Sequence, residues 1–285
     1  MVDKNEEFKE YLKNEGRSKN TIKSYLINIE EYKKWYSDSF GLEMKNLYRE
    51  NILDFKSYLM NVKKFNGHNL NAKTVNAKVA SIMCLNKYLV DKNIQKDMVV
   101  NKDDLMRIQR SIANPCIIEK QDVEQFRQKI LESGDKRLYC IATLLSYAGL
   151  RISECLNIKI SDFNLFTKEI RVIGKGTKQR IVYLNDKIVV AMKGYLKERK
   201  GSNSEYLFAS RQSEKVDRTV INKQFKKNSN VITPHMLRHF YCSNLVDNGF
   251  TISEVANLAG HSNANTSLLY TNPSIRSMKE KLEKL

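Results

Sequence analysis

The segment between residues 94 and 117 most constrains the fold of this chain, because its character differs from that of both flanks. It is polar and weakly periodic, and it contains Pro115, one of only three prolines in 285 residues. A chain of this length has room for two domains at roughly 150 residues each, and a polar stretch with proline is typical of a connection. We therefore predict a first domain over residues 1–93, a linker over 94–117 and a second domain over 118–285.

Residues 1–93 have the pattern of a helical domain. Ser18 is a suitable N-cap. Apolar residues follow it at three- and four-residue spacing as far as Trp35, which is the pattern of an amphipathic helix. Three further helices are predicted, over residues 6–14, 50–64 and 72–90. The first domain is thus predicted to be helical.

A β-hairpin is the main departure from helix in the second part. Segments rich in Val and Ile, 168–173 and 180–184, flank the basic stretch Gly174-Lys175-Gly176. Two such segments joined by a short glycine-rich connection predict a hairpin, here with a cationic tip. Helices are expected around it, over residues 120–132, 136–148 and 274–285. The predicted fold class is mainly α with a small antiparallel β-sheet, as a helical domain followed by an α+β domain.

The charge of the chain points to a polyanionic partner. Lys and Arg number 49 against 32 Asp and Glu, which gives a formal net charge of +17. Such an excess usually indicates nucleic acid, although a soluble protein can be basic without such a partner. Both parts are basic, since 21 basic and 15 acidic residues precede position 111 and 28 basic and 17 acidic residues follow. Nucleic acid is therefore the expected partner.

Several classes of protein are disfavoured by the sequence. No apolar run approaches the ~20 residues of a membrane-spanning helix. Residues 1–10 are mostly charged, so we expect no signal peptide and a cytoplasmic protein. No Gly-x-x-x-x-Gly-Lys-Ser/Thr loop for a nucleotide is present. The five cysteines are scattered without metal-ligand spacing, which predicts reduced thiols and no metal site: Cys84, Cys116, Cys140, Cys155 and Cys242.

One stretch of the first domain carries charge of a single sign. Residues 61–90 contain five lysines and no Asp or Glu. A run of charge is usually a solvated face, but a face of one sign suits a phosphate backbone. Four lysines of the first domain are the predicted DNA contacts: Lys19, Lys23, Lys73 and Lys78.

Arg151 and Glu154 form the first candidate pair for chemistry. Arg151 lies where a turn marked by Gly149 meets a new helix, and an arginine there can bind two phosphate oxygens with its fork. Glu154 follows one helical turn later on the same face and could orient it. Taken alone, an Arg–Glu pair at this spacing is more often a surface salt bridge.

His235 and Arg238 form the second pair, three residues apart on a predicted helix whose first turn suits Pro234. Their side chains face one way, so that His235 could accept a proton while Arg238 binds the phosphate. A half-buried histidine capped by its neighbours is the alternative.

Three residues are ambiguous when each is taken alone. Lys175, on a glycine-flanked loop, could reach a leaving oxygen, but an isolated lysine of this kind is more often a plain turn residue. His261 precedes an expected helix start, where free backbone N–H groups favour an anion. Tyr270 is one of fourteen tyrosines. A phenol with a pKa near ~10 is a poor nucleophile unless cations and a base lower the cost of ionising it.

Taken together, these residues resemble the tyrosine recombinase (phage integrase) family, most closely its Xer-like members. The family's catalytic positions are all filled in order, with Glu154 at the acidic companion position. They are Arg151 in Leu-Arg-Ile-Ser-Glu, Lys175 in Gly-Lys-Gly, His235 and Arg238 in His-x-x-Arg, His261 in Gly-His and Tyr270 in Tyr-Thr. The likeness covers the catalytic half fully. It is looser over residues 1–93, where Ser18–Tyr25 and 72–90 are similar to the family's core-binding domain.

The resemblance implies a site-specific DNA recombinase that needs neither a metal nor ATP nor another cofactor. Tyr270 would be the nucleophile that forms a 3′-phosphotyrosyl ester, Lys175 would protonate the 5′ leaving oxygen, and His235 would accept the tyrosine proton. The other positions would neutralise charge on the phosphate or hold the cations that do so: Arg151, Arg238 and His261, with Glu154 behind them. Tyr241, three residues after Arg238, is the competing nucleophile.

The resemblance also implies an architecture and an assembly. The two domains would form a C-shaped clamp on DNA, and four copies would assemble on synapsed DNA. The helix over 274–285 would then pass to a neighbouring protomer, with packing on its own protomer as the alternative. Accessory DNA-bending or regulatory proteins would be further partners.

Departures and rival functions stay open at this point. Tyr183 stands where the family often has proline, and Asn272 stands where it often has histidine. A DNA-binding module without chemistry and a type IB topoisomerase are the rivals. Within the family, the roles are chromosome-dimer resolution, integration of mobile DNA and resolution of transposon cointegrates. The Lys- and Asn-rich composition suggests an AT-rich bacterial genome, and a transposon-borne cointegrate resolvase is our preferred role.

Overall fold

The computed structural model describes residues 4–108, 118–174, 179–199, 203–210, 212–260 and 283. The chain divides into two compact units, Met1–Arg110 and Ser111–Leu285. Some predicted features lie outside the described residues: Cys116, Lys175, His261, Tyr270 and, except for Glu283, the helix over 274–285. Among the described residues, no helix has the length and apolar character to cross a bilayer, and no cluster of His, Cys, Asp or Glu could bind a metal ion.

The first unit is helical, as its sequence pattern predicts. Ser18 caps the long second helix, since its Oγ accepts a hydrogen bond of 3.2 Å from the backbone N–H of Thr21. The apolar stripes of the helices meet in one core around Tyr32 and Phe55. Its helices are α1 (Lys4–Asn14), α2 (Lys19–Phe40), α3 (Arg49–Ser57) and α4 (Ala72–Asp91).

A short hairpin lies between α3 and α4, where the sequence predicted helix up to residue 64. The chain passes from α3 into a single π-turn, Tyr58–Val62, and then into β1 (Lys64–Phe65) and β2 (His68–Asn69). Asn66 and Gly67 connect the strands with φ of 50° and 81°. An Asn-Gly pair is the strongest short signal for such a turn, so the sequence did contain the information.

The described part of the predicted linker packs on the first unit. Asn86 of α4 is fully buried, and its Oδ1 accepts hydrogen bonds from the backbone N–H groups of Val99 (2.6 Å) and Val100 (3.0 Å). The Val100 side chain is buried as well. Residues 94–108 were predicted to connect domains because they are polar and weakly periodic. In the structure they are held on the first unit by several contacts, which include those of Asn86 with Val99 and Val100 and that of Arg49 with Asp104.

The second unit surrounds one helix that is buried along most of its length. α6 (Lys136–Tyr147) buries Leu138 and Ile141 completely, together with most of its other residues, as expected for a helix at the centre of a core. The other described helices are α5 (Lys120–Glu132), α7 (Ile152–Leu156), α8 (Asp186–Glu198), α9 (Arg218–Asn228), α10 (Pro234–Asp247) and α11 (Ile252–Ala259).

The predicted hairpin of the second unit is confirmed by a three-stranded antiparallel sheet. β4 (Glu169–Ile173) pairs with β5 (Gln179–Tyr183), and β3 (Phe163–Asn164) pairs with the other edge of β4. Val172 and Val182 point into the core while their neighbours in the strands are exposed, which is the alternation of a half-buried sheet. The same alternation places the side chain of Arg180 on the inner face of the sheet, the face of Val182.

We predict that Asn86→Ala destabilises the first unit by about 1–3 kcal/mol, because it leaves two backbone N–H groups without their acceptor. Trp35 is the only tryptophan of the chain and belongs to the core of this unit, so its fluorescence in a urea titration reports on this unit alone. The matched control is Asn61→Ala, since Asn61 is exposed and bonds only Ser57; a change within about 0.5 kcal/mol is expected. Equal effects of the two variants would contradict the packing of residues 94–108.

Candidate active site

A glycine turn and a short helix position Arg151. Gly149 has a φ of +59°, and a Cβ there would lie 2.1 Å from the Tyr241 ring, so only glycine fits. Arg151 then takes the N-cap position of α7. Its backbone N–H donates to Oε2 of Glu154 (2.9 Å) and its Nη1 to Oε1 (2.7 Å). The predicted pair is therefore formed, and its two side chains are fixed by the start of one helix.

Glu154 is the buried centre of a cluster of three arginines. Its side chain is only 4% exposed. Arg180 of β5 donates to both carboxylate oxygens, from Nη1 to Oε1 (3.2 Å) and from Nη2 to Oε2 (3.0 Å). Nη1 of Arg238 lies 3.7 Å from Oε2. A buried carboxylate is stable only when it is paired and hydrogen-bonded, and here cations from three separate segments do this.

Arg238 connects α10 to two other segments through backbone carbonyls. Its side chain is 5% exposed. Nη1 donates to the carbonyl of Gly149 (2.5 Å) and Nη2 to that of Ala259 at the end of α11 (2.6 Å). Pro234 lies in the first turn of α10, as predicted, and Thr233 is the N-cap. Arg238 thus holds the turn before Arg151 against the last residue of α11.

Gly260 brings the chain next to the same cluster. It ends α11 with a φ of +65°, and a Cβ there would lie 2.6–2.8 Å from the guanidinium of Arg180. Its carbonyl accepts a hydrogen bond of 3.1 Å from Nη1 of Arg151. The residue directly before His261 therefore contacts two of the three arginines.

The cluster has an excess of positive charge. Burial alone would raise the pKa of Glu154, but hydrogen bonds from Arg180 and Arg151 more than offset this, so the net effect lowers its pKa. Glu154 is therefore ionised at neutral pH. Three guanidinium groups around one carboxylate leave a formal charge of +2 at the site, which favours binding of a phosphate.

His235 lies one turn before Arg238 on α10, and its side chain is exposed. It borders a cavity of about 480 Å³ that is also lined by Ile152, Arg218 and Lys226. The next histidine on α10, His239, is half-buried; burial and then the nearby His235 lower its pKa. His235 is thus the histidine of α10 that a ligand in this cavity could reach.

Tyr241 is close to the cluster but poorly suited to ionise. Its ring packs on the turn at Gly149. Burial raises its pKa to about 12, although Arg180 and Arg238 act in the opposite direction. A phenol that resists ionisation is a weak nucleophile.

Three of the sequence-predicted residues, Lys175, His261 and Tyr270, lie outside the described part of the chain. Of the others, the structure brings Arg151, Glu154 and Arg238 together. Sequence reasoning missed Arg180. The available signal was its position two residues before the buried Val182 on β5, because alternation places a charged residue there on the inner face.

The lysine stretch of the first unit is more neutral than its sequence suggests. Lys63 and Lys78 both pair with Glu31 of α2, at 2.7 and 2.5 Å, and Lys87 pairs with Glu15 at 3.1 Å. The expected face of one sign is thus wrong, because carboxylates distant in sequence fold onto it. Lys78 is only 12% exposed, which disfavours it as a DNA contact. The other three predicted contacts are exposed: Lys19, Lys23 and Lys73.

Comparison with known families matches both parts of the chain. The model of the phage integrase family matches residues 117–276, and the model of the phage integrase N-terminal SAM-like domain matches residues 5–96.

Curated relatives align with nearly the whole chain. The TnP I resolvase of Bacillus thuringiensis is 49% identical over 289 aligned positions that cover all of both proteins. The tyrosine recombinase XerA of Pyrococcus horikoshii is 28% identical, over 98% of this chain and 92% of XerA.

Solved structures share the fold at lower identity. The XerH site-specific recombinase, in a post-cleavage complex with a palindromic difH substrate, has a TM-score of 0.72 and 20% identity over 92% of this chain and 79% of its own. The Tn1549 transposon integrase, in complex with circular intermediate DNA, has a TM-score of 0.68 and 17% identity over 98% of both chains.

We predict that Glu154→Gln lowers the free energy of unfolding of the second unit by about 3 kcal/mol at pH 7, because three arginines lose their buried counter-charge. Hydrogen exchange of the α6 and α10 amides measures this. Because folding lowers the pKa of Glu154, its stabilisation is complete above the unfolded pKa and is lost as pH falls through the folded pKa. The difference between variant and wild type should therefore shrink in acid.

The matched control is Glu205→Gln, which removes an exposed carboxylate that pairs with Lys159 on the surface. An effect near zero is expected for it, since surface pairs contribute about 0–1 kcal/mol. A difference between Glu154→Gln and wild type that does not change with pH would contradict the ionised, paired state of Glu154.

Proposed function

Because this chain belongs to the phage integrase family and is a tyrosine site-specific DNA recombinase, we propose that it cleaves and rejoins double-stranded DNA through Tyr270. The family models confirm the resemblance noted in the sequence. The structure confirms the predicted fold class, which is mainly helical with a small antiparallel sheet. The observation that carries the proposal is the cluster of Arg151, Arg180 and Arg238 around Glu154. It has the excess positive charge that a scissile phosphate requires.

The proposed reaction is a transesterification. The hydroxyl oxygen of Tyr270 attacks the phosphorus, the bond from phosphorus to the 5′ oxygen breaks, and the 3′ phosphate becomes an ester of the tyrosine. His235 takes the tyrosine proton, and Lys175 gives a proton to the 5′ oxygen. Arg151, Arg238 and His261 neutralise the charge that grows on the non-bridging oxygens in the transition state.

The ester conserves the energy of the broken bond, so the step is reversible. A 5′ hydroxyl from a partner duplex attacks the phosphotyrosyl ester and releases Tyr270. This exchange requires no ATP, and we propose that the reaction needs no metal or other cofactor.

Tyr270 is preferred to Tyr241 on physical grounds. Burial raises the pKa of Tyr241 to about 12, and its ring supports the turn at Gly149. Moving Tyr241 to a phosphate would open the turn that positions Arg151. Tyr270 occupies the Tyr-Thr motif that matches the family's nucleophile.

The 49% identity to the TnP I resolvase favours a role in resolving transposon cointegrates.

We further propose that residues 1–93 form the core-binding domain and residues 118–285 the catalytic domain. The active form is a tetramer on synapsed DNA, in which the helix over 274–285 passes between protomers. The clamp on DNA, accessory proteins and the cytoplasmic location stay predictions.

The test is formation of a covalent protein–DNA adduct on nicked duplexes tiled across the DNA that flanks the coding sequence. Wild-type protein should give an adduct that survives denaturation, since a nick lets the short fragment that carries the 5′ hydroxyl diffuse away and so prevents it from reversing the ester. Tyr270→Phe should abolish the adduct without loss of DNA binding, measured by gel shift. Tyr241→Phe is the matched control and should retain the adduct.

Two outcomes would contradict the proposal. An adduct that persists in Tyr270→Phe and is lost in Tyr241→Phe would assign the nucleophile to Tyr241. DNA binding to a tiled duplex without an adduct from the wild-type protein would favour a DNA-binding module without chemistry.

A further inference from the structure

Arg180 is the cation of the cluster that is absent from the catalytic set matched above. It lies on the inner side of β5, and its side chain is 16% exposed. Its two terminal nitrogens donate to the two oxygens of Glu154, at 3.2 and 3.0 Å. Paired contacts between a guanidinium fork and a carboxylate fix direction as well as distance.

A comparison within the same hairpin shows that this geometry is specific to Arg180. Arg171 lies on the paired strand β4, opposite Ile181. It is 51% exposed and makes a single contact of 3.2 Å with Asp162. A surface pair of that kind contributes little to stability. The pair of Arg180 with Glu154 is shielded from water, because both side chains are largely buried.

Gly260 lies against the other side of the Arg180 guanidinium. The guanidinium has room there because Gly260 has no side chain, since a Cβ would lie 2.6–2.8 Å from the guanidinium atoms. The carbonyl of Gly260 accepts a hydrogen bond from Arg151. Arg180 is thus enclosed between the carboxylate that orients Arg151 and the backbone that also bonds Arg151.

We propose that Arg180 is a positioning residue for recombination: it holds the Glu154 carboxylate so that Arg151 is presented to the scissile phosphate. This inference rests on the proposed function. Oε1 of Glu154 is shared by Arg151 and Arg180, and Oε2 is shared by the Arg151 backbone N–H and Arg180. Arg180 therefore fixes the carboxylate plane and takes up part of its charge.

The loss of Arg180 has two consequences for Arg151. The terminal torsion of a glutamate is broad, so the carboxylate gains freedom to rotate. Arg151, which is 38% exposed, then shares the charge of Glu154 with Arg238 alone and is drawn toward the carboxylate. The formal charge of the cluster also falls from +2 to +1, which weakens the stabilisation of the charge that grows on the phosphate in the transition state.

The test uses full-length protein and the nicked duplex on which the wild type forms its adduct. Arg180→Ala and Arg180→Lys are compared in single-turnover adduct formation at saturating DNA, and DNA affinity and melting temperature are measured beside it. We expect both variants to form the adduct about 10²-fold more slowly, the cost of a misplaced catalytic group, with unchanged DNA affinity. Lysine keeps the charge but lacks the fork, so it should not rescue the rate.

Arg171→Ala is the matched control and should form the adduct at the wild-type rate. A double-mutant cycle then asks whether Arg180 acts through Glu154. If it does, adding Arg180→Ala to Glu154→Gln slows the adduct little beyond Glu154→Gln alone, because coupled residues are not additive.

Four results would overturn the inference. The first three are a wild-type rate in Arg180→Ala, full rescue by Arg180→Lys, and effects of Arg180→Ala and Glu154→Gln that multiply. A rate loss that equals the loss of folded protein in both variants would mean a structural role only, which also overturns it. Absence of an adduct in the wild type contradicts the proposed function instead, so the two failures are distinguishable.

Discussion

One buried carboxylate holds the second unit's site together. Glu154 pairs with Arg151 one helical turn before it, with Arg180 from the hairpin and with Arg238 from α10. The arginines extend the network, since Arg238 donates to the carbonyls of Gly149 and Ala259 and Arg151 donates to that of Gly260. Segments from Gly149 to Gly260 are therefore joined through one network around a single anion. Burial of these charges is tolerated because each has a partner of opposite sign or a carbonyl.

The same arrangement explains how the site can serve phosphate chemistry. A cluster that is neutral overall would be stable but would not attract an anion, whereas three cations alone would repel each other in a medium of low dielectric. Three arginines around one carboxylate are held in place and still carry excess positive charge. Donors fixed before the reaction stabilise a transition state without the cost of reorganising them. This is the physical basis on which we propose that the phosphate binds at the exposed side of Arg151.

The sequence predicted most elements of the fold because their signals are local. The cap at Ser18, the start of α10 at Pro234 and the strands around Gly174 depend on neighbours within a few residues. Contacts between distant residues were not predictable from such signals. Glu31 pairs with Lys63 and Lys78 from another helix, and an asparagine of α4 accepts a hydrogen bond from the backbone N–H of Val100. Arg180 was missed for the same reason, since its partner lies 26 residues earlier. The motif residues Arg151, Glu154 and Arg238 were found because their order in the chain matches a family, and the structure brings these three together.

The ionised state of Glu154 is the claim on which the site depends, and a titration of its carboxyl carbon by ¹³C NMR tests it most directly. Glu154→Gln assigns the resonance, since it is the one signal absent from that variant. Because the arginines lower its pKa, the account predicts a midpoint below the ordinary value for glutamate of about 4.3. A midpoint at or above that value would mean that burial outweighs the arginines, and it would contradict the account.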